Sequence, residues 1–288
     1  MKGLVIAAQR RHYDVALPDG ERLACVLKGR SLRIAVGDCV AVERTSEGGV
    51  ITDIEPRRNL VYRSDAFKEK LVAANVTQVA AVVAPDIALD EELLHRWMIA
   101  AEAARCRYVI FANKRDLPSF AHLEARLAPY EALGYPVVPL SAMRDIATVH
   151  PWLSGQHTVL VGQSGMGKST LINALVPDAQ ARTTQVSESL NAGRHTTTST
   201  TLYELDAQSW IVDSPGMKVF GLAHVPADEV AAAFVDIRPF LGHCRFRNCR
   251  HDAEPGCAVT EAVERGKIAP QRVALMHAIL AEGSASRR

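Results

Sequence analysis

Short apolar stretches separated by turn signals such as Pro18-Asp19-Gly20 fill the first 60 positions. The stretches are Leu4–Ala8, Tyr13–Leu17, Arg22–Leu27, Cys39–Glu43 and Val50–Ile54. Five closely spaced strands with tight turns predict a small closed barrel, of either the OB or the SH3-like type. Small barrels host many functions, so this one could bind a partner or have no binding role of its own.

From about residue 76, apolar strands alternate with segments of helical periodicity. The predicted strands are Val79–Ala84, Tyr108–Ala112, Val137–Leu140 and Thr158–Val161, followed by a hairpin of Thr201–Leu205 and Trp210–Val212. Helices are expected at 90–105, at 119–133 and from about residue 168. This alternation is typical of a mostly parallel sheet covered by helices. After Gly216 the strands stop, and helices are predicted at 226–236 and 268–281.

The pattern therefore predicts a multidomain chain. A length of 288 residues favours about two domains. We assign residues 1–60 to the barrel, 61–220 to an α/β domain and 221–288 to a C-terminal helical domain.

Composition narrows the class of protein. With 48% hydrophobic and 23% charged residues, the chain is not a disordered one. Its 33 basic and 32 acidic residues exclude a strongly basic tail but not a local basic patch. The apolar segment before Gln9 is too short for a signal peptide, and no apolar run approaches the length of a membrane span. We expect a soluble, cytoplasmic monomer without a membrane partner.

A phosphate-binding pattern lies where a predicted strand meets a predicted helix. Residues Gly162, Gln163, Ser164, Gly165, Met166, Gly167, Lys168 and Ser169 fit G-x-x-x-x-G-K-[ST], and Thr170 follows. The glycines let backbone N–H groups surround phosphates at the positive end of the helix. Lys168 would reach the β- and γ-phosphates, and Ser169 would coordinate Mg²⁺. The alternative, a chance Gly-rich turn, is disfavoured by the strand–loop–helix context.

Two further patterns indicate recognition of a guanine base. The first is Asn113-Lys114-Arg115-Asp116, which follows a strand. The Asp116 carboxylate can accept hydrogen bonds from N1–H and the 2-amino group of guanine. Adenine has neither donor, so a buried Asp116 would lack a partner. Ser141-Ala142 follows the next strand and could contact guanine from the other side.

The phosphate end is completed by Asp213-Ser-Pro-Gly216, in which Asp213 could hold Mg²⁺ through water and the Gly216 N–H could meet the γ-phosphate. Motifs at the carboxyl ends of successive strands predict one guanine-nucleotide site. Their order is unusual, because the base-reading motifs precede the phosphate-reading ones. Moving the chain termini preserves a site made from spatially adjacent loops.

A cysteine–histidine cluster follows in the helical segment. Cys244-x4-Cys249-x-His251-x5-Cys257 offers three thiolates and an imidazole, which suits one closed, structural Zn²⁺ site. Buried thiols are the alternative. Arginines at 245, 247 and 250 lie among these residues and could contact RNA phosphates or form a solvated loop.

With these motifs the chain closely resembles the bacterial ribosome small subunit-dependent GTPase A family, the circularly permuted GTPases of ribosome biogenesis. The matching segments are Asn113–Asp116, Ser141-Ala142, Gly162–Ser169, Gly193–Thr198, Asp213–Gly216 and the Cys244, Cys249, His251 and Cys257 set. The resemblance implies an OB-fold at residues 1–60, a zinc domain, and GTP hydrolysis stimulated by the small (30S) subunit during its late maturation. The implied partners are GTP or GDP and the subunit with its 16S rRNA.

The catalytic group is a separate question. Met217 follows the D-x-x-G motif where Ras-like enzymes carry a water-orienting Gln, so unassisted hydrolysis should be slow. In the loop before the hairpin, Thr197 or Thr198 would complete the Mg²⁺ shell, and His195 is the candidate to position water. His195 could instead contact rRNA or nothing. The competing function is an RNA-binding assembly scaffold in which GTP is mainly structural.

Overall fold

The computed structural model describes residues 1–9, 12–29, 32–64, 69–176, 179, 200–214, 220–222 and 224–285, with side chains to residue 281. The strands are β1 (Lys2–Gln9), β2 (His12–Ala16), β3 (Arg22–Leu27), β4 (Cys39–Thr45), β5 (Gly48–Ile54), β6 (Leu60–Ser64), β7 (Glu69–Ala74), β8 (Gln78–Val83), β9 (Arg107–Ala112), β10 (Val137–Pro139), β11 (His157–Val161), β12 (Thr200–Asp206) and β13 (Ser209–Asp213). The helices are α1 (Glu91–Ala103), α2 (Phe120–Ala132), α3 (His150–Leu153), α4 (Lys168–Leu175), α5 (Ala227–Ala232), α6 (Ala258–Glu264) and α7 (Pro270–Ala285).

The first five strands form the predicted barrel. They pair in the order β1-β2-β3-β5-β4, and β4 returns to β1 to close the barrel. The parallel pairing of β3 with β5 within this order is the OB arrangement, so the OB alternative is confirmed. Val5, Val15, Val40 and Ile51 are fully buried in the barrel core because alternate positions of each strand face inward.

Strand β1 also joins the barrel to the rest of the molecule, which the hydrophobic pattern did not predict. Ala7 and Ala8 pair antiparallel with Thr201 and Thr200 of β12. An irregularity in the β1–β2 register between Val5 and Ala7 allows one strand to serve both sheets, since a bulge bends and twists the strand that carries it.

The α/β part contains the predicted parallel sheet. Strands β10, β9, β8, β11 and β13 run parallel in that spatial order, and β12 pairs antiparallel with β13. All six residues of β8 are buried, as expected for an apolar strand covered on both faces. The carboxyl ends of the parallel strands share one edge, which brings their following loops together.

Several local features differ from the sequence prediction, among them helix α3, which has no predicted counterpart. The β6–β7 hairpin has no predicted counterpart, although it pairs along its whole length. The helix expected at 226–236 ends at Ala232, and a 3₁₀ turn follows at Arg238–Phe240. Helix α6 also lacks a predicted counterpart. Its N-cap is Cys257, whose sulfur accepts the N–H of Thr260, and a thiol is not a usual capping signal.

The C-terminal segment packs onto helix α1 and shares a hydrophobic core with the α/β part. Arg272 of α7 forms a two-pronged ion pair with Asp236, with N···O distances of 2.7 and 2.8 Å. Its guanidinium also contacts the imidazole of His95 and stacks over Phe234. Burial, helped by the charge of Arg272, lowers the pKa of His95 to about 4, so this imidazole is neutral at pH 7. Among the described helices, none combines the length and hydrophobicity of a membrane span.

Candidate nucleotide-binding and metal sites

The Gly-rich loop connects β11 to α4 at the carboxyl edge of the sheet. Gly162 and Gly167 have φ values of +154° and +96°, which side chains other than hydrogen rarely tolerate. A Cβ on Gly162 would lie 2.6 Å from the carbonyl oxygen of Val82. The loop therefore requires glycine at both ends, as is typical of loops whose backbone N–H groups surround a phosphate.

Lys168 and Asp213 place opposite charges beside this loop. The Lys168 Nζ donates to the carbonyl oxygens of Gly162 at 2.7 Å and Gln163 at 3.1 Å. Burial lowers the pKa of Lys168 and raises the pKa of Asp213, while each charge partly offsets the effect on the other. Ser169 and Thr170 are exposed on the first turn of α4, where a ligand can reach their hydroxyls.

Asn113 holds three loops of the site together. Its Nδ2 donates to the carbonyl of Met166 at 2.9 Å, and its Oδ1 accepts the N–H of Ala142 at 3.0 Å. Its side chain is only 2% exposed, so it organises the site from beneath. A buried amide with two strong partners fixes the loops more firmly than packing alone would.

Lys114 makes a second link between the base-reading loop and the Gly-rich loop. Its ammonium donates to the carbonyl of Gly165 at 2.9 Å and to Asp86 at 2.6 Å. The backbone of Lys114 has φ of +61°, an uncommon conformation outside glycine that often marks functional loops.

The base-reading loop and the Ser141-Ala142 loop lie side by side. A hydrogen bond from Ser141 is the main cause of the lowered pKa of the Asp116 carboxyl, which keeps it ionised and able to accept hydrogen bonds. The Arg115 side chain points to Asp145, with an N···O distance of 2.8 Å. The predicted residue Arg115 thus contributes its backbone to this loop, while its side chain serves a neighbouring turn.

Asp213 ends β13 next to the Gly-rich loop, because its neighbours across the sheet are Leu160 and Thr201. The Asp213 carboxylate and the Ser169 hydroxyl are hard oxygen donors of the kind Mg²⁺ takes, so the residues present fit that ion. The predicted residues His195, Thr197, Thr198 and Gly216 lie outside the described part of the chain.

The four predicted zinc ligands converge. The ligand atoms of Cys244, Cys249, His251 and Cys257 all lie within 4.8 Å of one another. The Sγ of Cys244 is 3.5 Å from His251 Nδ1 and 3.9 Å from Cys257 Sγ, and Cys257 Sγ is 3.6 Å from the same nitrogen. A tetrahedral Zn²⁺ with ordinary bond lengths requires separations of about 3.8 Å between sulfurs and about 3.6 Å from sulfur to nitrogen. The donor set therefore fits zinc in both chemistry and spacing.

The surface around this cluster is basic and partly aromatic. Arg245, Arg247 and Arg250 are exposed, and Arg245 stacks over Phe246 with its guanidinium carbon 5.5 Å from the ring centroid. Phe246 is 43% exposed. Planar cations and an open aromatic ring suit a phosphate-rich, base-stacking partner.

The parallel sheet, the Gly-rich loop and the guanine-reading loops, in their reordered sequence, define a circularly permuted P-loop GTPase with an N-terminal OB barrel and a C-terminal metal-site domain. Residues 54–223 match the RsgA GTPase family. The chain is 50% identical to the small ribosomal subunit biogenesis GTPase RsgA of Burkholderia pseudomallei strain 1710b over 98% of this chain and 92% of that protein. Against the protein of the same name from Nitrosospira multiformis, the identity is 46% over 100% and 92%. The chain belongs to the RsgA GTPase family.

Two solved structures share the architecture over nearly their whole length. YjeQ from Thermotoga maritima has a TM-score of 0.74 and 28% identity, covering 98% of this chain and 97% of that one. YloQ, described as a circularly permuted GTPase, has a TM-score of 0.71 and 25% identity, covering 100% and 96%. The resemblance inferred from the motifs is confirmed.

Asp86 and Asp145 are the site residues that sequence reasoning missed. Each pairs with a residue of the base-reading loop, yet neither belongs to a nucleotide-binding motif. Asp145 lies four residues after Ser141, and Asp86 lies in the loop after β8. The sequence could have indicated these two residues only by their position in loops after parallel strands, since ligand sites form at the carboxyl ends of such strands.

Proposed function

We propose that this chain hydrolyses GTP in the cytoplasm during late maturation of the small ribosomal subunit. One observation supports this most directly: Asp116 and the Gly-rich loop lie on one sheet edge and are joined through Asn113 and Lys114. The curated relatives described above are named as biogenesis GTPases of that subunit.

Each predicted residue has a role at this edge. Asp116 accepts hydrogen bonds from N1–H and the 2-amino group of guanine, and Ser141-Ala142 flanks the base. The backbone from Gly162 to Thr170 surrounds the phosphates. When nucleotide binds, the Lys168 ammonium leaves the two loop carbonyls and donates to phosphate oxygens instead. The negative charge of the phosphates offsets the desolvation of the ammonium.

The γ-phosphate end carries the remaining roles. Ser169, Asp213 and either Thr197 or Thr198 hold Mg²⁺, which when bound neutralises charge on the β- and γ-phosphates. The Gly216 N–H meets the γ-phosphate, and His195 orients the attacking water. Because Met217 cannot orient water, hydrolysis depends on the subunit to bring the water-orienting group into place.

The C-terminal part holds one structural Zn²⁺ through Cys244, Cys249, His251 and Cys257. Ligation fixes the backbone that displays the three arginines and Phe246. These residues contact 16S rRNA, the arginines through phosphates and the ring by stacking.

The scaffold alternative is less favoured. A site in which GTP is only structural has no need for Mg²⁺ and γ-phosphate contacts, yet Lys168, Ser169 and Asp213 are all present. We divide the functional chain into the barrel at 1–60, the permuted GTPase at 61–220 and the zinc domain at 221–288, acting as a monomer.

The binding step is tested by co-sedimentation of the purified protein with isolated 30S and 50S subunits. We expect pelleting with 30S in the presence of a non-hydrolysable GTP analogue and weaker pelleting with GDP, because the γ-phosphate contacts differ. Size-exclusion chromatography of the free protein should show a monomer. Equal pelleting with both subunits, or none with 30S, would contradict the proposal.

A further inference from the structure

Three consecutive side chains of the base-reading loop leave it in three directions. Lys114 reaches Asp86 and the Gly-rich loop, and Arg115 reaches Asp145. Asp116 is left at the base-binding position, next to the Ser141 hydroxyl. The arrangement separates one guanine-reading carboxylate from the two cations that precede it in sequence.

Asp145 belongs to the turn that presents Ser141-Ala142. Its N–H donates to the carbonyl of Ser141 at 2.8 Å, which closes that turn as an isolated β-bridge. The backbone N–H of Arg115 donates to the carbonyl of Leu140 at 3.0 Å. The Arg115–Asp145 ion pair therefore adds a side-chain link to a backbone link between the same two loops.

The charges around Asp116 show what this link prevents. Arg144, which is 74% exposed, already lies 3.8 Å from the Asp116 carboxylate. Without Asp145, the guanidinium of Arg115 would lose its partner, and Asp116 is the adjacent residue. A carboxylate that is paired with arginine is less available to guanine, since its lone pairs are then shared.

From this geometry we infer that Asp145 is a positioning residue for guanine recognition, acting by holding Arg115 away from Asp116 and by joining the two base-reading loops. The inference rests on the proposed function, because it assigns a role within the same nucleotide site. Its stabilising effect on the fold is small, as is usual for ion pairs this exposed. Its effect is on the shape and charge of the base-binding slot.

A double-mutant cycle on the full-length zinc-loaded protein tests this role, with GDP and IDP affinities as readouts. IDP lacks the 2-amino group that Asp116 reads. Asp145→Asn should weaken GDP binding by about fivefold and reduce the GDP-over-IDP preference by about threefold. Asp145→Glu should recover most of the loss. Adding Arg115→Met to Asp145→Asn should recover part of it, because the released arginine is then absent.

Glu21→Gln is the matched control. It removes the exposed acidic partner of a different arginine, Arg44 on the barrel, and it should leave both affinities unchanged. Two results would overturn the positioning role. One is a loss of GDP affinity in the Arg115→Met/Asp145→Asn double variant that equals the product of the two single losses. The other is an unchanged GDP-over-IDP preference in Asp145→Asn. A wild-type protein that fails to bind GDP would overturn the proposed function itself, whereas normal wild-type binding with normal Asp145→Asn binding overturns only this inference.

Discussion

At the level of single residues, the proposed function requires an ionised carboxylate whose lone pairs stay available to the base. A Ser141 hydrogen bond lowers the pKa of Asp116, and the nearest guanidinium nitrogen of Arg144 lies 3.8 Å from the carboxylate, which is longer than a hydrogen bond. Guanine offers two donors to such a group, and removing either leaves part of the carboxylate unsatisfied. Selectivity thus depends on what surrounds Asp116 as much as on the residue itself.

Asp116→Asn should reverse this selectivity. An amide can donate to the 2-oxo group of xanthine but cannot accept from both guanine donors. GTP affinity should fall by at least about tenfold, and affinity for xanthosine triphosphate should rise. Competition titrations against a fluorescent GDP analogue measure both. Unchanged GTP affinity without a gain for xanthosine triphosphate would remove Asp116 from the site.

His195→Ala should abolish most of the 30S-stimulated turnover, by about 10² or more, while GTP and 30S binding survive. The reason is that Met217 offers no useful hydrogen bond to water, which leaves His195 as the nearest candidate in the sequence. The measurement is phosphate release at saturating 30S subunits. Full stimulated activity in this variant would transfer the role to a group supplied by the ribosome.

At the level of elements, helix α7 is fixed to α1 by a buried polar cluster. His95 Nδ1 donates to the Glu91 carbonyl at 2.6 Å, and its other nitrogen faces Arg272, an arrangement that requires a neutral imidazole. Asp236 holds Arg272 in place. Adding a proton to His95 would place two cations in contact within a buried interface.

Stability should therefore fall in acid. The folded pKa of His95 is about 4 and the unfolded value about 6.5, so the unfolded chain binds more protons as the pH decreases between these values. The free energy of unfolding should drop by about 2 kcal/mol between pH 7.5 and 5 from this group. Urea unfolding of the wild type and of His95→Gln at both pH values isolates the contribution of His95 to the free energy of unfolding. An equal decrease in the free energy of unfolding in the two proteins would contradict this prediction.

The zinc centre is expected to stabilise the C-terminal part without contacting nucleotide. Cys249→Ser should lower the bound zinc and reduce the unfolding midpoint by about 5 °C or more, with GDP affinity within about twofold of wild type. Cys39→Ser, at an exposed cysteine of the barrel, is the matched control. Freshly purified wild-type protein without metal in elemental analysis would contradict this prediction.

Sequence periodicity predicted the elements in which several consecutive residues share the same buried environment. Strand β8 is fully buried and apolar after Gln78, and the first four residues of both β12 and β13 are buried in succession. The pattern could not predict the pairing of Ala7 with Thr201, since partners 194 positions apart leave no local signal. The same holds for Asp145, whose role depends on which side chain the folded loops bring opposite it.

At the level of the whole molecule, the α/β part is joined directly to the barrel and to the C-terminal segment. The OB barrel extends the sheet beyond β12, and β12 begins at Thr200, two residues after the predicted Mg²⁺ ligand Thr198. The zinc-site segment packs on α1 through Arg272. Both attachments are built from backbone pairing or buried contacts, so neither part is joined to the GTPase core by a linker alone.

The central claim is that this permuted site is an enzyme stimulated by the small ribosomal subunit. The most direct measurement is GTP turnover by the purified protein alone, with 30S subunits and with 50S subunits, using Lys168→Ala as the inactive reference. We expect slow turnover alone, an increase of at least about tenfold with 30S only, and none in Lys168→Ala. Turnover that 30S subunits leave unchanged, while the protein still binds both GTP and 30S, would contradict the account and support the scaffold function.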